Sequence, residues 1–247
     1  SAQVRFADYK NVFRELSTSV TFDEHHLDIR DLKAKVGNSD LNLQLQIPEY
    51  LQQFSRDLPL QLSGALRAQH FDVADFETES TNQKRDWMLP EQINLSLPFD
   101  IQQLKYENKE IHQLKGSLKL SAHELLLEQL KFNHTQGYWN GQLKVSERAP
   151  STFEIETNGS AKKVDLGTLF KEWENFDQSI LTDQHLSGKG NFDFIVQTHA
   201  GTKMFFYAFK IIKAKIEPGG KCRLASIPSE YVTVRKTVKP GYKENSR

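Results

Sequence analysis

A single cysteine, Cys222, stands in the whole chain, which excludes an internal disulfide framework and a thiolate metal cluster. No stretch approaches the roughly 20 apolar residues of a membrane-spanning helix; hydrophobic residues make up 38% and mean hydropathy is −0.59. An excess of one charge is missing as well. The 32 Lys+Arg balance 32 Asp+Glu, which argues against a general polyanion binder and so against nucleic acid as a partner. That balance hides a division, because residues 202–247 carry 11 basic and 3 acidic side chains, leaving 21 and 29 in the 201 residues before them. The sequence opens Ser1-Ala2-Gln3 without methionine and without a basic-then-apolar signal region. The expectation is a processed product or a piece of something longer, and a removed targeting segment stays open. The length allows one large domain or two small ones.

What is abundant is alternation. Leu41, Leu43, Leu45 and Ile47 are separated by Asn42, Gln44 and Gln46, and Ile93, Leu95, Leu97, Phe99 and Ile101 repeat the pattern. It returns at Leu118/Leu120, Leu143/Val145, Phe153/Ile155 and Phe192/Phe194/Val196. A helix needs apolar positions three and four apart; strict alternation places them on one face of a pleated strand. The intervening residues are polar, an arrangement that antiparallel sheets tolerate and covered parallel sheets do not. Turn signals punctuate the runs at Gly37-Asn38-Ser39-Asp40, Glu107-Asn108-Lys109, Asn140-Gly141, Asn158-Gly159 and Gly188-Lys189-Gly190. The pattern predicts a long antiparallel meander. Two segments depart from it: Tyr50–Leu58 suits a short helical turn, and Gly167–Ile180 reads as a helix that caps the sheet with Leu169, Phe170, Trp173 and Phe176.

The chain also repeats itself. A slide of 98 positions superposes residues 6–47 on 104–145 without a gap, matching Phe13 with Ile111, Val20 with Leu118, Phe22 with Leu120, Leu27 with Leu125 and Ile29 with Leu127. After a shorter connection, Phe71-Asp72-Val73 meets Val164-Asp165-Leu166 at an offset of 93. Duplication is the preferred explanation, and two copies of a one-faced sheet stack end to end into an extended array. The organisation expected is a first β-repeat over 1–76, a polar connection over 77–90, a second β-repeat with the aromatic helix over 91–201, and a basic tail over 202–247.

Side chains with chemical potential are few. His25 and His26 point to opposite faces of a regular strand and cannot chelate one ion; beside Asp23-Glu24 they read as solvated turn residues. His123 and His134 could meet across a hairpin, but two ligands fall short of a zinc set. Asp72 with Asp75, and Glu172 with Glu174, are carboxylate pairs whose default is solvated surface. Ser63-Gly64 and Ser187-Gly188 suit strand starts, where glycine serves a bulge or close packing. No nucleophile elbow, phosphate-binding loop or dinucleotide fingerprint occurs. The expectation is a protein that is not an enzyme and needs no cofactor or metal.

Three stretches resemble the AsmA family of bacterial envelope proteins. VTFDEHHLDIRDLKAKVGNSDLNLQLQI (20–47) resembles its recurrent β-repeat, and LQLSGALRAQHFDVADF (60–76) the unit that follows, a glycine-containing strand leading to an apolar-Asp-apolar step. VDLGTLFKEWENFDQSILTDQHLSGKGNFDFIVQ (164–197) is similar to the family's C-terminal region. The resemblance covers about residues 6–199; the stretch from Met204 onward has no clear counterpart. It implies a protein on the periplasmic side of the envelope, anchored in the inner membrane through parts absent from this chain. It also implies a long, bent β-sheet that forms a groove for phospholipid acyl chains, with other envelope proteins as further partners and no catalytic residues to carry over.

The apolar stripe then has two readings, the core of a β-sandwich interaction module or a lipid-lined groove. Near-absence of helix and an end-to-end repeat favour the groove. The fold expected is mainly β, an extended, bent antiparallel sheet with one short helix near 167–180. The groove candidates are Val20, Phe22, Leu27, Ile29, Leu41, Leu43, Leu45, Ile47, Leu118, Leu120, Leu125 and Leu127. The basic tail reads as an edge strand, an interfacial segment or sequence foreign to the domain.

Overall fold

The computed structural model describes residues 2–5, 9–56, 58–76, 88–177 and 182–201, without the side chains of 176, 177 and 198–201. Residues 77–87 of the polar connection expected over 77–90, and the basic tail with Cys222, lie outside the described residues. The fold is mainly β, one bent, unclosed sheet of eleven strands whose spatial order follows the chain. The strands are β1 (Ala2–Val4), β2 (Phe13–Phe22), β3 (His26–Val36), β4 (Ser39–Pro48), β5 (Leu60–Asp72) and β6 (Ile93–Tyr106). They continue with β7 (Lys109–Ser121), β8 (Glu124–His134), β9 (Gly137–Ala149), β10 (Thr152–Asp165) and β11 (Lys189–Gly201). At about 4.8 Å per step, ten steps carry the sheet roughly 48 Å along its curve.

Both halves use the same construction. β3 and β8 begin and end on residues 98 apart. Within the first half Val20 pairs Ile29, Leu27 pairs Ile47 and Ile29 pairs Leu45; in the second Leu118 pairs Leu127, Leu125 pairs Val145 and Leu127 pairs Leu143. The irregularities recur with the same spacing. Glu15 and Gln113 have φ 54°, and Asp31 and Gln129 have φ 50° and 53°. Each marks a register shift where one strand carries an extra residue. Such bulges bend a strand and increase its twist, so the bend of the sheet is written twice. With β4 displaced by 98 and β5 by 93, Leu43 pairing Leu66 corresponds to Gly141 pairing Gly159.

The structure corrects the meander in one place. β5 and β6 pair in parallel, Leu60 with Ile93 and Asp72 with Lys105. A parallel neighbour requires the chain to return to the end where β5 started before β6 begins at Ile93. Two expected turns are also absent. Asn140-Gly141 and Asn158-Gly159 lie inside β9 and β10, where the glycines face each other. A Cβ on Gly141 would stand 2.4 Å from the Asn158 carbonyl oxygen, and one on Gly159 would stand 2.2 Å from that of Asn140. The pair serves close approach of two strands, not chain reversal. Reversals fall instead at left-handed His123, Thr135 with Gln136, and Ser151, residues that carry weaker turn signals than glycine.

Short helical pieces close the strand ends. Helix α1 (Tyr50–Ser55) joins β4 to β5, tied down by Gln53, whose Nε2 donates to the Pro48 carbonyl and whose Oε1 accepts from the Gln61 amide. At the opposite end of the strands Asp72 and Asp75 turn the chain after β5. The surface role expected for this pair is wrong, since both are buried. Asp75 Oδ2 accepts from the amides of Asn38 (2.8 Å) and Ser39 (3.0 Å) and from the Ser39 hydroxyl (2.8 Å), while Asp72 pairs with Lys105 at 3.1 Å. Left-handed Gly37 (φ 56°) lets the β3–β4 turn fold around that carboxylate. The helix expected over 167–180 is shorter: α2 spans Leu166–Glu172 and a 3-10 turn follows at Glu174–Asp177. Left-handed Glu174 and Asn175 stop α-helical propagation. Asp75→Ala should unfold the protein at lower urea, with a loss of about 1–3 kcal/mol from orphaned buried donors, and speed amide exchange at Asn38 and Ser39. Unchanged stability would remove the cap from this account.

Candidate functional site

Pairing registers place the twelve sequence-identified residues on one face and join them into rows. Phe22, Leu27 and Ile47 form one row, and Val20, Ile29 and Leu45 the next. Across the halves run Leu43–Leu66–Phe99 and Leu62–Leu95–Leu120–Leu125–Val145–Ile155. A third long row is Leu97–Leu118–Leu127–Leu143, and Leu41 sits beside Ala34. The first and second sets of candidates are therefore not two patches. The β5 and β6 leucines connect them into one continuous face.

Burial along this face is incomplete. Leu27, Ile29, Leu41, Leu43, Leu45, Leu62, Leu66, Leu95, Phe99, Leu118, Leu120, Leu125 and Leu127 are all half-buried. Strands meet principally their sheet neighbours, and no second sheet lies over the face among the described residues. This removes the closed sandwich as a description of the fold. Partial shielding comes from neighbouring side chains across the bent sheet, not from an opposing layer. Val20 and Phe22 are exposed at 49% and 73%.

The second half is covered at both ends. Below, Leu89 comes down onto Val145, Phe153 and Ile155, with Leu120, Leu125 and Leu143 packed at the margin. Above, α2 lays Leu166, Leu169 and Phe170 on Trp139, Ala161, Val164 and Phe192. Trp139 stacks on Phe132 and meets Phe192 edge-on, with ring centroids 5.8 and 5.3 Å apart. The aromatic cap expected from sequence is thus present in Leu169, Phe170 and Trp173, whereas the side chain of Phe176 lies outside the described residues. In the first half the lower rim carries exposed Phe22, Leu51, Phe54 and Leu58. One half of the face is plugged and the other opens toward that rim.

The opposite face is wet. Lys35–Glu15, Lys115–Asp100, Lys119–Glu128 and Lys144–Glu124 pair across it. The Glu124 carboxylate raises the Lys144 pKa. A shallow depression of about 510 Å³ has Gln61, Ser63, Asn94, Ser96, Lys119, Ser121 and Glu124 in its lining together with Leu62, Leu95, Leu120 and Leu126. Most of its polar lining comes from positions that alternate with the apolar ones, and Ser96 stands across the strand pair from Lys119.

The remaining chemical candidates resolve into structural contacts. Asp23 Oδ1 accepts from the amides of His25 (2.8 Å) and His26 (2.7 Å), which holds that carboxyl below its ordinary pKa. Both imidazoles are exposed, His25 against Glu49 and His26 against Asp23. His123 and His134 do not meet; they occupy opposite ends of β8, His123 beside Glu147 and Glu91, His134 buried against Glu172 at 3.2 Å. Glu172 is accordingly half-buried, not the solvated carboxylate expected. No group of three potential metal ligands occurs among the described residues.

Alternation identified the face but not what covers it. Leu89 ends a short apolar run, Trp87-Met88-Leu89, too short to carry a period. The central leucines of β5 are interrupted by Gly64 and lack an unbroken alternating run. Gly64 has its own cause, since a Cβ there would stand 1.9 Å from the Gln44 carbonyl oxygen. No helix of the described residues is long and apolar enough to cross a membrane. The chain matches no family model, no curated protein and no solved structure.

Asp165 sets the α2 plug in place: its Oδ1 accepts from the Thr168 amide at 2.8 Å, the bond that chiefly lowers its pKa. A lowered carboxyl stabilises the fold above its unfolded pKa and loses that contribution as pH falls through the folded value. Asp165→Ala should therefore cost about 1 kcal/mol at neutral pH and flatten the acid limb of the stability curve below pH 4. An acid limb identical in both proteins would contradict this role.

Proposed function

We propose that this chain is a non-enzymatic lipid-binding element of the AsmA type, holding phospholipid acyl chains against its apolar face. The observation that carries the reading is the half-buried row of leucines through β3–β8 with no second layer over it among the described residues. An uncovered apolar face of this extent calls for an occupant, because contiguous exposed apolar surface drives association. Acyl chains suit it on chemical grounds. The face offers CH₂ and CH₃ groups without convergent polar partners, so it supplies roughly 0.8 kcal/mol per buried CH₂ without direction or headgroup choice. Such a site holds many lipids in one way and lets them slide, which is the behaviour needed for transport.

The resemblance in residues 20–47, 60–76 and 164–197 supports a place on the periplasmic side of the bacterial envelope, in phospholipid transport or outer-membrane assembly. In this reading membrane contact comes through parts outside this chain, and other envelope proteins are further partners. Headgroups stay at the open margin, where the lower rim presents Phe22, Leu51, Phe54 and Leu58. The alternative is an envelope interaction module that covers its face with protein. One observation favours it: Leu89 already shows a peptide segment packed on this surface.

Organic extraction and native mass spectrometry of the purified chain separate the two. Phospholipid should copurify, and Leu43→Asp or Leu45→Asp should lower its amount about tenfold or more by placing a carboxylate on the acyl path. Both variants should remain folded, since neither position is enclosed between layers, and Gln44→Asp on the wet face should retain lipid. A lipid-free protein that unfolds on Leu43→Asp would establish a protein-covered core instead.

A further inference from the structure

Helix α1 is inside out. Its buried residue is Gln53, held by the Pro48 carbonyl and the Gln61 amide, while Leu51, Phe54 and the following Leu58 stand 52%, 66% and 50% exposed. Tyr50 meets Phe54 edge-on, with ring centroids 6.4 Å apart. Polar bonds fix the turn from within: Glu49 pairs with His25 at 3.1 Å and accepts from Gln52 Nε2 at 2.9 Å, and the Leu58 amide donates to the Gln53 carbonyl at 3.2 Å. The second half shows that reversing the chain does not require this element. β9 and β10, the counterparts of β4 and β5, are joined at Pro150-Ser151, with Ala149 opposite Thr152. The first half uses five more residues there, the difference between the offsets of 98 and 93, and with them builds α1.

We propose that α1 is a bilayer-docking knob: Leu51, Phe54 and Leu58 enter the boundary between headgroups and acyl chains of a phospholipid membrane. Arg56, exposed at the end of the helix and without an ion pair among the described residues, then sits at the level of the phosphates. Size decides between a membrane and a protein as the occupant. A specific protein interface covers about 800 Å² on each partner. A whole phenylalanine side chain supplies at most about 250 Å², so three side chains exposed by half to two-thirds fall well short. A bilayer sets no such minimum, because each apolar group that crosses the headgroup layer contributes separately. Position agrees with size. α1 lies between Ile47 of β4 and Leu60 of β5, at the lower margin of the apolar face. On the acyl-chain reading, on which this choice of occupant also rests, lipid enters the face from a bilayer at that margin. Contact through three side chains is weak and reversible, unlike the inner-membrane anchorage expected outside this chain.

The test uses the full chain and sucrose-loaded vesicles of phosphatidylcholine, which carry no net charge. The chain should sediment with the vesicles, and hydrogen exchange over α1 should slow when they are added. Leu51→Ser together with Phe54→Ser should weaken partition about tenfold or more, at an unchanged urea midpoint because both positions are exposed. Phe54→Trp should keep it, since tryptophan suits the membrane interface. Ile195→Ser, at an exposed apolar position on β11, should leave partition unchanged. A chain that stays in solution, or partition insensitive to the double variant, overturns the proposal. Self-association through Leu51 and Phe54 in place of partition would make a second copy the occupant and overturns it as well. Lipid extraction of the same proteins separates this claim from the one beneath it. Bound phospholipid should be the same in the double variant and the natural chain. Partition by a chain that carries no phospholipid overturns the acyl-chain reading alone, and bound phospholipid without partition overturns the knob alone.

Discussion

Alternating apolar and polar residues force a sheet to cover one of its faces, and among the described residues of this protein that requirement is met only over the second half. Every other feature answers to it. The bulges at Glu15, Asp31, Gln113 and Gln129 bend the sheet so that neighbouring leucines shield one another. Leu89 and α2 plug the second half from its two ends. The first half has small closing pieces, α1 and the Asp75 cap, which secure strand ends and leave the face between them open. Most of the energy that holds strands in place is therefore local, between sheet neighbours. The fold does not depend on filling the groove with its own side chains.

The pairing of halves explains how such a sheet is lengthened without a closed core. β2–β5 and β7–β10 keep one register, including the displaced positions, so a second unit adds to the first without new solutions for bending or turning. Joining them in parallel at β5–β6 keeps both apolar faces on the same side. Differences between the halves fall where one side chain substitutes for another in the same task. Gly37 folds its turn around a carboxylate from beyond β5, while the second half turns on left-handed Thr135 and takes the Asp165 amide on the Thr135 carbonyl.

Much of this was legible in the sequence because period two survives wherever one face stays wet. The runs at Leu41–Ile47 and Ile93–Ile101 name both the strand and the face, and the offset of 98 holds through the register shifts. What was not legible depends on contacts distant along the chain. Gly141 and Gly159 imitate turn glycines, yet they answer to a close approach between two strands. Asp72 and Asp75 imitate surface carboxylates until Lys105 and the Ser39 turn come within reach. The parallel junction has no local signature, because β5 and β6 each alternate as any antiparallel strand would and their relative direction is set by the chain between them. Leu89 is one residue whose importance lies wholly in what it lands on.

The central claim is that the half-buried leucine face is a surface for acyl chains. The most direct measurement is photo-crosslinking with a phospholipid that carries a diazirine in its acyl chain, followed by mass-spectrometric mapping of the adducts. The account predicts adducts along the rows through Leu43, Leu66, Phe99 and Leu118 and none at Gln44 or Ser63 on the wet face. Adducts spread over both faces, or confined to the exposed rim of Phe22, Leu51 and Phe54, would contradict it.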